Sequence, residues 1–154
     1  MKLLIFGPKA RYDQYRPEFA AALPVETVFC TAHQPSLEAA QANPDIEVIF
    51  ADAITPVTRE LMDALPRLKL IHSEGVAFNA IDIEAARERG IFVCNNKGCN
   101  AVSVAEHTLM LMLMALRCGV TGHNAVRAGE QIKFKESFMV SSAPELGEQT
   151  VGMI

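Results

Sequence analysis

The chain has no tryptophan, and aromatic residues make up only 6% of it. It has no Cys-x-x-Cys pair and no long run of one charge sign. Fourteen basic residues stand against eighteen acidic ones, for a formal charge of −4. That balance argues against a general binder of phosphate backbones, so no nucleic acid partner is expected. Long hydrophobic runs are absent as well. The longest unbroken one, Leu109–Leu116, is far short of the roughly 20 residues that span a bilayer. The opening MKLLIFGPKAR has only four apolar residues between Lys2 and Gly7-Pro8, too few for a signal-peptide core. No membrane partner is expected, and the location expected is cytoplasmic. Cys30, Cys94, Cys99 and Cys118 stand singly. Cys94, Cys99 and His107 match no common zinc spacing, so the reading is reduced thiols and no metal.

What is present is an ordinary globular mix of 154 residues, half of them hydrophobic and 21% charged. That length suits one domain, or one domain and a piece of another. Apolar runs at Leu3–Phe6, Val25–Cys30, Glu47–Ala51, Leu68–Ser73 and Ile91–Asn95 read as buried strands. Between them Tyr12–Leu23, Ser36–Ala42, Thr58–Leu65 and Asp82–Arg89 carry apolar residues at helical spacing, with Ser36, Thr58 and Asp82 as N-cap or first-turn residues. Pro24, Pro44, Pro56, Pro66 and Gly90 punctuate the joins. Such alternation predicts an α/β fold, a flavodoxin-like parallel sheet with helices on both faces.

Past Asn100 the pattern changes. Ala101–Leu116 predicts one long helix, apolar on nearly every side and therefore buried on every side. Its Met110, Met112 and Met114 read as packing against a second domain or subunit rather than as a cofactor box. Gly119–Gly129 predicts a short helix, and Gln131–Glu148 is mixed and loop-like. Thr150–Ile154 reads as the first strand of a further unit, so the chain is expected to be cut from a longer one.

In an open parallel sheet, ligands bind beyond the carboxyl ends of the strands. That rule selects Gly7-Pro8-Lys9, Asp52-Ala53, Ser73–Asn79 and Asn95–Asn100. Gly75 and Ala77 would let backbone N–H groups approach a carboxylate or phosphate in a nest around Val76. Gly98 does the same in the second loop, where Lys97 and Asn100 add donors. The plainer reading is ordinary strand-to-helix turns. Asp52, Ser73 and Lys97 also stand where a phospho-acceptor receiver domain needs them. Gly7-Pro8-Lys9, however, replaces the acidic pair that would hold its Mg²⁺, so that reading fails. Glu106 and His107 point about 100° apart on one helix and cannot act on one atom. His33, His72 and His123 have no partner nameable from sequence.

The run Leu68–Arg117 carries a signature: Gly-Val-x-x-x-x-Ile-Asp at Gly75–Asp82, Ala-Ala-x-x-Arg-Gly-Ile at Ala85–Ile91, Asn95, and Gly-x-Asn-x-x-Ser-Val-Ala-Glu-His at Gly98–His107. It resembles the D-2-hydroxyacid dehydrogenases, the phosphoglycerate dehydrogenase-like group. The ending Glu145–Ile154 is similar to the strand leading into that family's glycine loop. The resemblance implies an NAD-dependent oxidoreductase interconverting a D-2-hydroxy acid and its 2-keto acid, working as a homodimer. Residues 1–100 would be the substrate domain. Residues 101–154 would be a hinge helix, a dimer-contact segment and the start of an NAD-binding Rossmann domain.

By the same resemblance, Gly75, Val76, Ala77, Lys97 and Asn100 are substrate-binding and Val104 is cofactor-binding. The catalytic Arg, Glu or Asp, and His, with the glycine loop, fall past Ile154, so no catalytic residue is expected in this chain and it is expected to be inactive alone. Ala77, Asn79-Ala80 and Asn96-Lys97 depart from the family pattern, and Lys97 offers a cation to a second acidic group on the substrate. The alternative reading is an interaction or regulatory module that kept the fold and lost catalysis.

Overall fold

The computed structural model describes residues 1–15, 25–30, 36–141 and 144–153. Residues 16–24, where most of the helix expected over Tyr12–Leu23 falls, lie outside them, as do His33 and Ile154. The described chain divides into two compact units, Met1–Cys99 and Asn100–Ile154.

In the first unit, strands β1 (Lys2–Phe6), β2 (Glu26–Cys30), β3 (Val48–Ala51), β4 (Leu70–Ser73) and β5 (Phe92–Cys94) form one sheet in the order β2-β1-β3-β4-β5. Every pairing is parallel. This is the flavodoxin-like order expected from the alternation. Helices α1 (Lys9–Tyr15), α2 (Ser36–Ala42), α3 (Arg59–Asp63) and α4 (Ile83–Glu88) lie between the strands in sequence.

Side chains alternate across the sheet. Leu4, Ile49 and Ile71 stand in register and are fully buried. The same face buries Phe6, Cys30, Ala51 and Ser73, and Leu61, Met62, Ala85 and Ala86 of α3 and α4 join that core. Fully burying a residue of this size stabilises by about 1.5–3 kcal/mol.

Two helix starts follow the sequence closely. Thr58 Oγ1 accepts from the Leu61 N–H at 3.3 Å, and Asp82 Oδ1 accepts from the Ala85 N–H at 2.9 Å. Arg89 pairs with Asp63, and Arg59 with Glu88 at 2.6 Å, which ties α3 to α4 on the surface.

The second unit contains α5 (Ala101–Leu116), α6 (Gly119–Arg127), α7 (Gln131–Val140) and a 3₁₀ turn at Leu146–Glu148. Three expectations change here. Gln131–Val140, read as loop-like, is a helix. It has no Gly or Pro, and Phe134 and Phe138, four residues apart, stack with centroids 5.8 Å apart. A Cβ at Gly122 would meet the Phe134 ring at 3.0 Å, so α6 and α7 touch closely there.

The long helix α5 is where it was expected, but none of its residues is buried. Within its unit it packs against α6 and the 3₁₀ turn, and a few short elements cannot surround a fourth. Thr150–Met153, expected as a strand, forms none among the described residues, because a strand requires a neighbour to pair with. No single helix among the described residues is long and apolar enough to cross a membrane.

Candidate functional site

Four loops leave the carboxyl end of the sheet within the described residues, and their hydrogen bonds separate them. In the first, the Gly7 N–H donates to the Cys30 carbonyl at 2.7 Å, and Lys9 pairs with Asp13 at 2.6 Å. Gly7 has φ +146°, and a Cβ there would meet the Tyr12 ring at 3.3 Å, so this loop closes on itself. In the second, Asp52 accepts from the Ile54 N–H at 3.0 Å, the Thr55 N–H at 2.6 Å and the Thr55 hydroxyl at 3.0 Å. Its carboxylate is occupied by its own turn.

The loop after β4 differs. Its four successive carbonyls all accept hydrogen bonds. Glu74 O takes one from Asn96 Nδ2 at 3.2 Å, Gly75 O from the Asn96 N–H at 2.9 Å, Val76 O from Asn95 Nδ2 at 2.7 Å, and Ala77 O from the Ser73 hydroxyl at 2.6 Å. The N–H groups of Gly75, Val76 and Ala77 make no hydrogen bond with any described residue. Val76 and Ala77 are exposed and Gly75 half-buried. A loop whose carbonyls are held and whose N–H groups are unpaired presents positive dipole ends to solvent, a setting for an anion.

Local sequence explains the arrangement. Ser73 ends a buried strand, and its hydroxyl, fully buried, has no outlet but the Ala77 carbonyl. β5 runs beside β4 with His72 opposite Cys94, so the two asparagines after Cys94 emerge beside Gly75 and Val76. Gly75 does not need a left-handed backbone, and a Cβ there would meet nothing within 4 Å. Its value is an open approach from outside rather than a turn conformation. Gly98, at φ +87°, does need its glycine.

Glu74 places an acid next to these donors, and the chain compensates it. Arg11 reaches Oε1 at 3.0 Å and the Tyr12 hydroxyl donates to Oε2 at 2.9 Å. Burial, and then Glu74, push the Tyr12 phenol above its ordinary range. Without Arg11 the Glu74 carboxylate would oppose any anion at Gly75–Ala77.

Of the residues singled out from sequence, Gly75, Val76 and Ala77 therefore form one continuous edge. Lys97 follows Asn96 directly, is exposed, and has no ion pair among the described residues. Asn100 and Val104 belong to the second unit. Asn100 precedes α5 without a capping bond from its side chain, and Val104 is 53% exposed. Sequence reading named Lys97 and Asn100 as donors but missed the positioning parts of Asn95, Asn96 and Ser73. The adjacent asparagines at a strand end were the available signal. Nothing in the sequence pointed to Arg11, Tyr12 and Glu74, which are brought together by a separation of more than sixty residues.

The family model described as D-isomer specific 2-hydroxyacid dehydrogenase, catalytic domain, matches residues 4–151. A glyoxylate reductase of Thermofilum pendens is 30% identical over 153 residues, covering 96% of this chain and 45% of that protein. A D-3-phosphoglycerate dehydrogenase of Archaeoglobus fulgidus is 39% identical over 111 residues, 72% of this chain and 20% of that one. Among solved structures, an NAD-dependent formate dehydrogenase from Staphylococcus aureus in complex with NAD has a TM-score of 0.66 at 30% identity, covering 84% of this chain and 43% of that one. A D-2-hydroxyisocaproate dehydrogenase matches the fold at TM-score 0.73 and 20% identity. The chain spans less than half the length of each of these relatives.

Proposed function

Because the chain belongs to the D-isomer specific 2-hydroxyacid dehydrogenases, we propose that Gly75, Val76 and Ala77 receive the carboxylate of a 2-hydroxy or 2-keto acid through their backbone N–H groups. The observation that carries this reading is the loop after β4, with the four carbonyls of Glu74–Ala77 held and three consecutive N–H groups unpaired among the described residues. Residues 1–100 act as the substrate domain, and residues 101–154 as hinge helix, dimer contact and start of the NAD-binding domain. In the whole protein, a homodimer, Lys97 and Asn100 border the substrate and Val104 borders the cofactor. Lys97 favours substrates with a second acidic group.

The chemistry follows from the donors. Backbone N–H groups neutralise a carboxylate without a competing cation, and each charge-assisted hydrogen bond contributes about 1.5–3 kcal/mol. Asn95, Asn96 and Ser73 are positioning residues, since they touch the loop's carbonyls rather than the ligand. Arg11 keeps the neighbouring acid neutralised. NAD would supply or accept the hydride, but its pyrophosphate needs a close-approaching glycine loop, and no two glycines of this chain stand one residue apart. These 154 residues alone therefore do not fit the dinucleotide. The activity proposed for the whole protein is NAD-dependent oxidoreduction of a D-2-hydroxy acid.

Two measurements test this. Titrating the labelled chain with glyoxylate or oxalate should shift the Gly75, Val76 and Ala77 amide resonances together; shifts elsewhere, with these unmoved, would sink the site. Supplying the purified 154-residue chain with NADH and a 2-keto acid should give no NADH consumption. Turnover would refute the division of labour proposed.

A further inference from the structure

Phe50, His72 and Cys94 stand in one register row across β3, β4 and β5. Paired residues of a parallel sheet project from the same face, opposite to the one carrying the buried core. His72 Nδ1 lies 3.0 Å from Cys94 Sγ. The imidazole also stacks on Phe50, with centroids 4.9 Å apart and planes 29° apart. Phe50 is in turn held edge-on by Tyr12 at 6.3 Å. Cys94 is exposed, on the edge strand of the described sheet. This is a nucleophile, a base within hydrogen-bond reach, a group that orients the base, and an open approach to sulfur. Activated cysteines require that combination.

We propose that Cys94, with His72 as its base, is a peroxide-reactive thiol and a site of reversible oxidation on this protein. Cys94 Sγ attacks one oxygen of a hydroperoxide while His72 Nδ1 takes the thiol proton. The S–O bond forms and the O–O bond breaks, and the departing oxygen takes the proton back from the imidazolium. The sulfur is oxidised by two electrons to a sulfenic acid, and the peroxide is reduced to water or an alcohol. Two equivalents of a thiol reductant restore Cys94. The first displaces the sulfenic oxygen as water to form a mixed disulfide, and the second breaks that bond, leaving as the oxidised disulfide and returning the Cys94 thiol.

The other cysteines make internal controls. Cys30 is on the opposite face, buried, with its thiol pushed up to about 11, chiefly by burial and then by Asp52. Cys99 and Cys118 are exposed like Cys94, yet neither has a hydrogen-bonded imidazole among the described residues. Exposure alone therefore predicts three equal thiols, and the His72 pair predicts one fast one. The inference stands apart from the carboxylate reading. The two meet at Asn95, next to Cys94, which holds the Val76 carbonyl, and at Tyr12, which packs on Phe50 and donates to Glu74.

Treating the whole chain with limiting hydrogen peroxide, trapping sulfenic acid with a dimedone probe and locating the adduct by mass spectrometry decides the matter. Cys94 should be trapped at least tenfold faster than Cys99 or Cys118, with Cys30 unmodified. His72→Gln should bring Cys94 down to the rate of Cys99, with protection of Cys30 in the same sample confirming an intact fold. A wild-type Cys94 no faster than Cys99 and Cys118 overturns the proposal, whether or not the variant folds. An unchanged Cys94 rate in folded His72→Gln overturns it too.

Discussion

In Met1–Cys99, Leu4, Ile49 and Ile71 are fully buried and stacked across neighbouring strands. In Asn100–Ile154, Leu109, Leu111 and Leu113 are each about half exposed, although they belong to the most apolar stretch of the chain. The difference is not in the residues, since both units are rich in Leu, Ile, Val and Met. A sheet with helices packed on it offers each apolar side chain several neighbours, whereas three helices in succession offer few. Hydrophobic composition states a demand for burial, and only the surrounding elements meet it.

The sharpest way to break this comparison is to truncate one side chain in each unit. Ile49→Ala should lower unfolding stability by about 2–5 kcal/mol, the usual cost of emptying a packed core. Leu111→Ala should stay within about 0.5 kcal/mol, as for exposed positions. Urea denaturation of both variants followed by circular dichroism is the measurement, and equal losses would mean that α5 is packed as tightly as the sheet.

A second contrast concerns what a backbone donor is for. Ala77→Pro removes one of the three unpaired N–H groups. It should weaken carboxylate binding by about 1.5–3 kcal/mol, roughly tenfold to a hundredfold or more. Ala77→Ser, which keeps the N–H, should leave binding nearly unchanged in the same titration. A global loss of the folded spectrum in Ala77→Pro would mean that the loop supports the sheet rather than the ligand.

Helix starts sharpen the comparison at lower energy. Thr58→Ala and Asp82→Ala each remove a cap that accepts an N–H, and each should cost about 1 kcal/mol. Asn100→Ala, at a helix start whose side chain makes no capping bond, should be close to neutral. Thermal melts of the three variants compare them directly.

The smallest effect expected is with pH. Burial and Glu74 raise the folded-state pKa of Tyr12 above its ordinary value of 10.0. A raised folded value contributes stability that is fully present below the unfolded pKa and is lost as pH rises above it. Stability should therefore decline on the alkaline side of about pH 10. Tyr12→Phe should remove that part of the decline while leaving the neutral-pH sheet intact. The same decline in Tyr12→Phe would assign it to other groups.

Much of this is legible in the sequence alone. The strands of the sheet, the caps at Thr58 and Asp82 and the bounds of α5 follow from periodicity and from short side chains at helix starts, which are local properties. The loops at Gly75–Ala77 and Asn95–Asn100 stand out in the sequence as a candidate edge for a ligand, because a parallel sheet has only one carboxyl edge. The helix at Gln131–Val140 was missed because Phe134 and Phe138 sit among polar residues and satisfy each other rather than forming a conventional apolar face.

The sequence by itself determined the alternation of strands and helices, because hydrophobic spacing and turn residues act over a few neighbours. Only the tertiary structure decided which groups meet across the sheet. Strand pairing set Asn95 and Asn96 against the loop at Gly75–Val76, His72 against Cys94, and Arg11 and Tyr12 against Glu74. Those contacts join residues about twenty to more than sixty positions apart. No local preference specifies them, because they depend on register and crossover, which are settled only when the strands are laid side by side.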